Sequence, residues 1–222
     1  MREINAALFE DMTEEELGEM SALGALRERS FCRGEPILRA GDRVCELGLV
    51  LSGLVHIESV DYWGNRSILG SAALGDIFAE SYAVCGENLM VSAVAAEDTL
   101  VLFADLKRLL AKENALRPWH GKLLYALTQL CARKNLALSS RIFSTTPKTV
   151  RGRLLTFLSG QAVKNGGTDF TVPFDRQQMA DYLNLDRSAL SKELGKMRDE
   201  GILEFRKNHF RLLGAAGWQW EQ

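Results

Sequence analysis

The chain has 222 residues, 46% hydrophobic and 25% charged, with a formal net charge of −2. That is the composition of a soluble globular chain large enough for two ordinary domains, and it excludes a disordered or fibrous polymer. No apolar run approaches membrane-spanning length, the Glu-rich start is no secretory signal, and Cys32, Cys45, Cys85 and Cys131 form no C-x-x-C ligand pair. The expectation is a cytoplasmic protein with reduced, mostly buried thiols. The charge is unevenly placed. Residues 1–140 carry 14 Lys and Arg against 20 Asp and Glu, and residues 141–222 carry 13 against 9. Basic charge is thus gathered in the C-terminal part, as a phosphate-contacting domain requires.

In chain order, Thr13-Glu14-Glu15-Glu16 is a capping box that opens a short helix with Leu17 and Met20 inward. From Phe31 the pattern changes to short apolar runs, with Gly41, Gly53, Gly64, Gly75 and Gly86 spaced by 12, 11, 11 and 11 residues. Runs at 47–51, 54–60, 67–69, 91–95 and 100–103 lie between them, with a hairpin loop at Asp61–Asn65. Short strands at this spacing predict an antiparallel sandwich or roll. The sequence around each glycine is not repeated, which argues against a solenoid.

After Asp105 the period becomes helical. Leu116, Trp119, Leu123, Leu127, Leu130, Lys134 and Ala137 follow 3–4 spacing, and Pro118 marks the start of one long helix. Such a helix needs a partner for its apolar seam, either its own β domain or the same helix of a second copy. The second is the expectation, because helix-turn-helix readers bind paired half-sites. Ser139-Ser140 and Ser144–Pro147 read as a hinge. Thr146 is then the cap of the next helix, with Pro147 at its first position and Leu154, Leu155 and Leu158 inward. Asn165-Gly166-Gly167 is a turn, and Phe170-Thr171-Val172 a short strand.

Residues 175–201 carry the most specific signal. Asp175 and Gln178 make a second capping box, with Met179, Tyr182 and Leu183 on one helix face and small Ala180 where another helix crosses. Asn184-Leu185 breaks the helix. Asp186 caps the next, in which Leu190, Leu194 and Met197 point inward, and Gly201 ends it. This is a helix-turn-helix. Arg187, Ser188, Ser191 and Lys192 occupy the outer face of its second helix, where Arg and Lys reach guanine O6 and N7 and hydroxyls pair with either kind of base edge. Ile202–Phe205 and Phe210–Leu213, around Arg206-Lys207-Asn208-His209, form a hairpin wing. The pattern points to double-stranded DNA.

A β roll, a long helix and a winged helix-turn-helix in that order resemble the Crp/Fnr family of transcription regulators over essentially the whole chain. The resemblance implies an α+β architecture: an effector-sensing, jelly-roll-like β-roll domain (1–112), a dimerisation helix (113–140) and a winged helix-turn-helix domain (141–222). It implies that Arg176-Gln177 contacts DNA phosphate. Arg187 and Lys192 match the family's base-reading arginines, and Ser188 stands where glutamate is usual. Gly75-Asp76-Ile77-Phe78-Ala79-Glu80 resembles the family's phosphate-binding cassette, with Ala79 for the usual glycine. The arginine that neutralises a cyclic phosphate is replaced by Met90 or Val91. Ser139 matches a base-contacting serine on the dimer helix. The implied effector pocket is therefore Glu80, Met90, Val91 and Ser139, for an unknown small molecule other than cyclic AMP. A second copy of the chain and RNA polymerase are the implied protein partners.

The sequence provides no catalytic residues and no metal ligands, since the apolar runs hold a single histidine, His56. A cupin-like metal enzyme, which needs several His and carboxylates converging, is the rival of another class. A constitutive DNA binder with a vestigial roll is the rival within the class.

Overall fold

The computed structural model describes residues 7–63 and 66–213. Gly64 and Asn65, at the tip of the expected hairpin loop, lie outside the described residues. The chain divides into two compact units, Met1–Ala132 and Arg133–Gln222.

The first unit opens with helix α1 (Glu14–Ala22), where the capping box forms as expected: Thr13 Oγ1 accepts from Glu16 N at 3.2 Å and Glu16 Oε2 from Thr13 N at 2.8 Å. Eight strands follow: β1 (Leu26–Phe31), β2 (Pro36–Leu38), β3 (Glu46–Ser52), β4 (Val55–Val60), β5 (Arg66–Ala72), β6 (Ile77–Phe78), β7 (Ser92–Ala95) and β8 (Thr99–Asp105). A short helix α2 (Glu80–Cys85) lies between β6 and β7. The strands form two antiparallel four-stranded sheets, ordered β1-β8-β3-β6 and β2-β7-β4-β5.

One sheet is covered on both faces, which explains the unbroken apolar runs of β3 and β8. Val50, Val101, Phe103 and Phe31 face the second sheet, where Val55, Ala72, Ala93 and Ala95 meet them. Leu47, Leu49, Leu102 and Ala104 belong to the other core, shared with α1, the short helix α3 (Leu106–Leu109) and Trp119, Leu123 and Leu127 of the long helix α4 (Pro118–Thr145). Gly48 is required between them, because a Cβ there would lie 2.2 Å from the Phe78 ring.

The seam expected for a second copy is therefore largely an internal one. Trp119 and Leu123 are fully buried and Leu127 nearly so, each fixed by the chain's own roll. Burying each leucine stabilises the unit by about 1.5–3 kcal/mol. The indole N–H of Trp119 donates to Glu19 Oε2 at 3.0 Å, and Arg117 and Lys122 pair with Glu19 and Glu16 at 2.8 Å, so α1 is tied to the start of α4. Leu116, put on the same stripe by its spacing, is 99% exposed. The outward face of α4 instead carries Leu124, Thr128, Cys131, Asn135, Leu138 and Ile142, all exposed. They repeat at 4-3-4-3-4, on a stripe turned about 100° round the helix from the buried one.

Helix α4 also runs through Ser139-Ser140, where the sequence reading has a hinge, and ends at Thr145. Thr146 is still tied to it, its N–H and Oγ1 both donating to Ile142 O. The cap of helix α5 (Val150–Asn165) is consequently Thr149, not Thr146, with its Oγ1 accepting from Gly152 N at 3.0 Å. Leu154 and Leu158 point inward as expected. Leu155 does not, and Phe157 takes the third inward place. The cysteines also depart from expectation, since all four are exposed. They sit just outside strands, at the end of α2 and on the outward face of α4, where nothing packs over them.

In the second unit β9 (Asp169–Thr171) precedes α6 (Arg176–Tyr182) and α7 (Arg187–Asp199), and β10 (Leu203–Arg206) and β11 (His209–Leu212) close it. The sheet order is β10-β11-β9, so the short strand before the helices completes the wing. Leu154, Phe157, Phe170, Met179, Leu183, Leu190, Leu194, Met197 and Phe210 form one core.

Candidate nucleic-acid interface and effector site

Both helices of the helix-turn-helix begin on side-chain caps. Asp175 and Gln178 form the reciprocal box at α6, and Asp186 accepts from Ala189 N at 2.9 Å at α7. Between them Asn184 takes φ 51, a left-handed conformation that asparagine tolerates better than most residues. With Leu190, Leu194 and Met197 fully buried, α7 has one free face, and Arg187, Ser188, Ser191 and Lys192 are all exposed on it.

An open groove of about 750 Å³ brings Arg176, Gln177 and Arg187 together with Phe174, Lys207 and Asn208. The last two form the wing turn, which the sequence places between the strands without assigning it a contact with DNA. The signal was available, since a two-residue turn between paired strands must project its side chains. Lys207 adopts φ 54, and Asn208 is pinned by bonds in both directions to Val172, the residue after β9. Gln177 Nε2 donates to Asp181 Oδ1 at 2.9 Å. Ser188 donates its hydroxyl to Asp186, and that bond, with the Ala189 amide, holds the Asp186 carboxyl below its usual range. Ser188 thereby presents lone pairs outward.

Arg176 is placed less simply. Its guanidinium lies over the rings of Phe205 and Phe210, at 4.9 and 5.1 Å, and both terminal nitrogens are covered without a hydrogen-bond partner. Burial pushes its pKa below the usual guanidinium value. A phosphate contact requires it to swing off the wing.

The recognition helix is held at its far end by Arg151 of α5, whose Nε donates to Glu193 at 2.6 Å and whose Nη1 and Nη2 grip Glu200 at 2.9 and 2.7 Å. This pairing holds the Glu200 carboxyl below its usual range.

On the roll, Glu80 is buried at the first position of α2, and Ser81 Oγ donates to it at 3.4 Å. Ala79 just before it has φ 63, which accounts for glycine being usual there. Met90 is 81% exposed and Val91 half-buried. On the β4–β5 pair, a Cβ added at Gly70 would meet nothing within 4 Å, so the surface beside Ile57 is open. Arg43, which sequence reasoning passed over, runs along the loop before Met90, its Nη2 3.2 Å from a Cβ at Gly86. Ser139 lies on α4 within the second unit. Among the described residues no three His, Cys, Asp or Glu side chains gather as metal ligands, and no helix is long and apolar enough to cross a membrane.

An antiparallel β roll followed by a winged helix-turn-helix is the architecture of a two-domain DNA-binding transcription regulator. Residues 28–112 match the cyclic nucleotide-binding domain family, and residues 152–217 the Crp-like helix-turn-helix domain family. The chain belongs to the Crp/Fnr family of transcription regulators. It is 25% identical to the transcriptional activator protein FnrA of Stutzerimonas stutzeri, over 86% of this chain and 78% of that protein. It is also 25% identical to the probable transcriptional regulator flp of Lacticaseibacillus casei, over 94% and 92%. The fold is shared with CprK solved in complex with OCPA (TM-score 0.64, 15% identity, covering 91% of this chain and 92% of that one).

Proposed function

We propose that the protein is a cytoplasmic, homodimeric regulator that reads an inverted-repeat operator and responds to a small effector in its roll. The observation that carries the DNA reading is the single groove shared by Arg176, Gln177, Arg187 and Lys207, beside the exposed polar face of α7. Arg187 and Lys192 read base edges there, Ser188 and Ser191 supply hydroxyl contacts, and Arg176 and Gln177 hold phosphate. The outward stripe of α4, on which Leu124, Leu138 and Ile142 are exposed apolar residues in 4-3 register with Thr128, Cys131 and Asn135, supports pairing with a second copy, because such a register is what a parallel helix pair covers. RNA polymerase is the expected further partner, and no catalytic activity is assigned. In the test, wild-type protein selects duplexes from a random pool. Inverted repeats with half-sites about 10–11 base pairs apart, centre to centre, are the expected winners. A pool that stays random after selection would sink the reading.

The effector is proposed to be something other than a cyclic nucleotide, held near Glu80, Met90 and Val91. A cyclic phosphate carries a full negative charge, and burying it without a paired cation costs several kcal/mol. Met90 and Val91 supply none. Calorimetric titration of cyclic AMP should show no binding tighter than about 1 mM, equivalent to roughly 4 kcal/mol. Micromolar binding would instead mean that a cation from elsewhere in the protein supplies the missing charge.

A further inference from the structure

The C-terminal end of α6 and the turn after it are bonded to two arginines from outside the helix-turn-helix. Arg141, near the end of α4, donates from Nε to Tyr182 O at 3.1 Å, and from Nη2 to Asp181 O at 3.3 Å and Asn184 Oδ1 at 3.4 Å. Its guanidinium also lies 5.7 Å from the centre of the Tyr182 ring. Arg153, on α5, donates from Nη1 to Leu183 O at 3.0 Å and Asn184 O at 2.8 Å, and from Nε to Pro147 O at 2.9 Å. Four consecutive carbonyls, 181 to 184, thus receive a guanidinium hydrogen bond.

Carbonyls at a helix C-terminus lack partners within the helix and carry partial negative charge, so cationic donors are their strongest available partners. Here those donors come from the end of α4 and from the helix after it. Through Pro147 O, Arg153 also ties in the four-residue connection between α4 and α5. The end of α4, the connection and the helix-turn-helix turn are therefore one hydrogen-bonded body. Helix α7 begins at Arg187, three residues after Asn184, and inherits its direction from that turn.

We propose that Arg141 and Arg153 are positioning residues for operator reading, setting the line of α7 from the C-terminal end of α4 without themselves touching a base. This rests on the assignment of α7 as the base-reading helix. Arg141 is the sharper test, because it couples α4 to the turn directly. Its role must be told apart from that of a phosphate contact. Losing a phosphate contact weakens every duplex alike and makes the salt dependence shallower by about one unit. Losing a strut leaves charge-driven binding alone and degrades only the base-edge hydrogen bonds, which weaken steeply off geometry.

Full-length Arg141→Ala and Arg141→Lys are to be titrated with a duplex selected by the wild type and with its scrambled counterpart, over a range of salt. Amide hydrogen exchange is read at Leu185, whose N–H donates to Ala180 O at 2.9 Å across the turn. The alanine variant is expected to lose about tenfold on the selected duplex, with the scrambled affinity and salt slope unchanged and faster exchange at Leu185. The lysine variant, which can donate to only some of the three acceptors, should fall between it and the wild type. Should Arg141→Ala fail to fold, Arg141→Lys alone decides, and wild-type discrimination with wild-type exchange in it overturns the proposal. So does an equal loss on both duplexes with a shallower slope, or an unchanged selected-to-scrambled ratio in Arg141→Ala. A wild type that selects no duplex removes instead the DNA reading on which the proposal rests.

Discussion

Glutamate at Leu138 or Ile142 should give a folded monomer, whereas glutamate at Leu127 should unfold the N-terminal unit. The difference follows from which face of α4 each residue occupies. Leu127 is 6% exposed in the core made by the roll, α1 and α4, while Leu138 and Ile142 are 61% and 63% exposed. Removing a buried leucine costs about 2–5 kcal/mol, and a carboxylate in its place adds a desolvation penalty. At the two outward positions the fold itself should change by less than about 0.5 kcal/mol. In a symmetric pair, however, each new carboxylate would face its own copy. Losing the second half-site removes the gain of bivalent binding, so operator affinity should fall by about 10²–10⁴. Light scattering and circular dichroism on the three variants decide the matter. A dimer surviving in both outward variants, or a folded monomer from Leu127→Glu, would move the interface off this stripe.

The second large effect is expected at the base-reading positions. Arg187→Ala or Lys192→Ala should each cost about 1–3 kcal/mol on the best duplex and relax preference at particular base pairs. Arg176→Ala should weaken selected and scrambled duplexes alike, because a phosphate contact carries no sequence information. Arg176 differs in a second way. Its guanidinium stacks on Phe205 and Phe210, so the variant should also loosen the wing, visible as a lower melting temperature. Equal losses on specific and scrambled DNA for Arg187→Ala would take the recognition role from α7.

The helix-turn-helix was legible because each of its signals is local. Two acidic caps, an asparagine at a left-handed position and a 3–4 spaced apolar stripe all lie within 27 residues, and each behaves as local chemistry dictates. The long helix was legible as a helix but not in its loyalties. The period of Trp119, Leu123 and Leu127 states that one face is buried, and nothing in the period says by what. The roll's β3 and β8 decided that, through long-range packing that spacing cannot encode. The missed strands, β1, β2 and β6, have weak patterns for physical reasons. Only Phe31 is fully buried in β1, and β2 and β6 have three and two residues. The cap at Thr149 was missed because Pro147 is a strong helix-start signal, and the preceding helix ran far enough to displace it. Arg141, Arg151 and Arg153 had no sequence signature, since their acceptors lie 30 to 49 residues away, apart from Pro147.

The spacing of the outward stripe on α4 also fixes a handedness. Leu124, Cys131 and Leu138, and between them Thr128, Asn135 and Ile142, each recur every seven residues, or 3.5 per turn over two turns, slightly less than the 3.6 of a straight α-helix. A straight helix would let that stripe drift by about 20° per heptad away from a partner's axis. Two copies that keep it in contact over its full length must wind round each other as a left-handed supercoil.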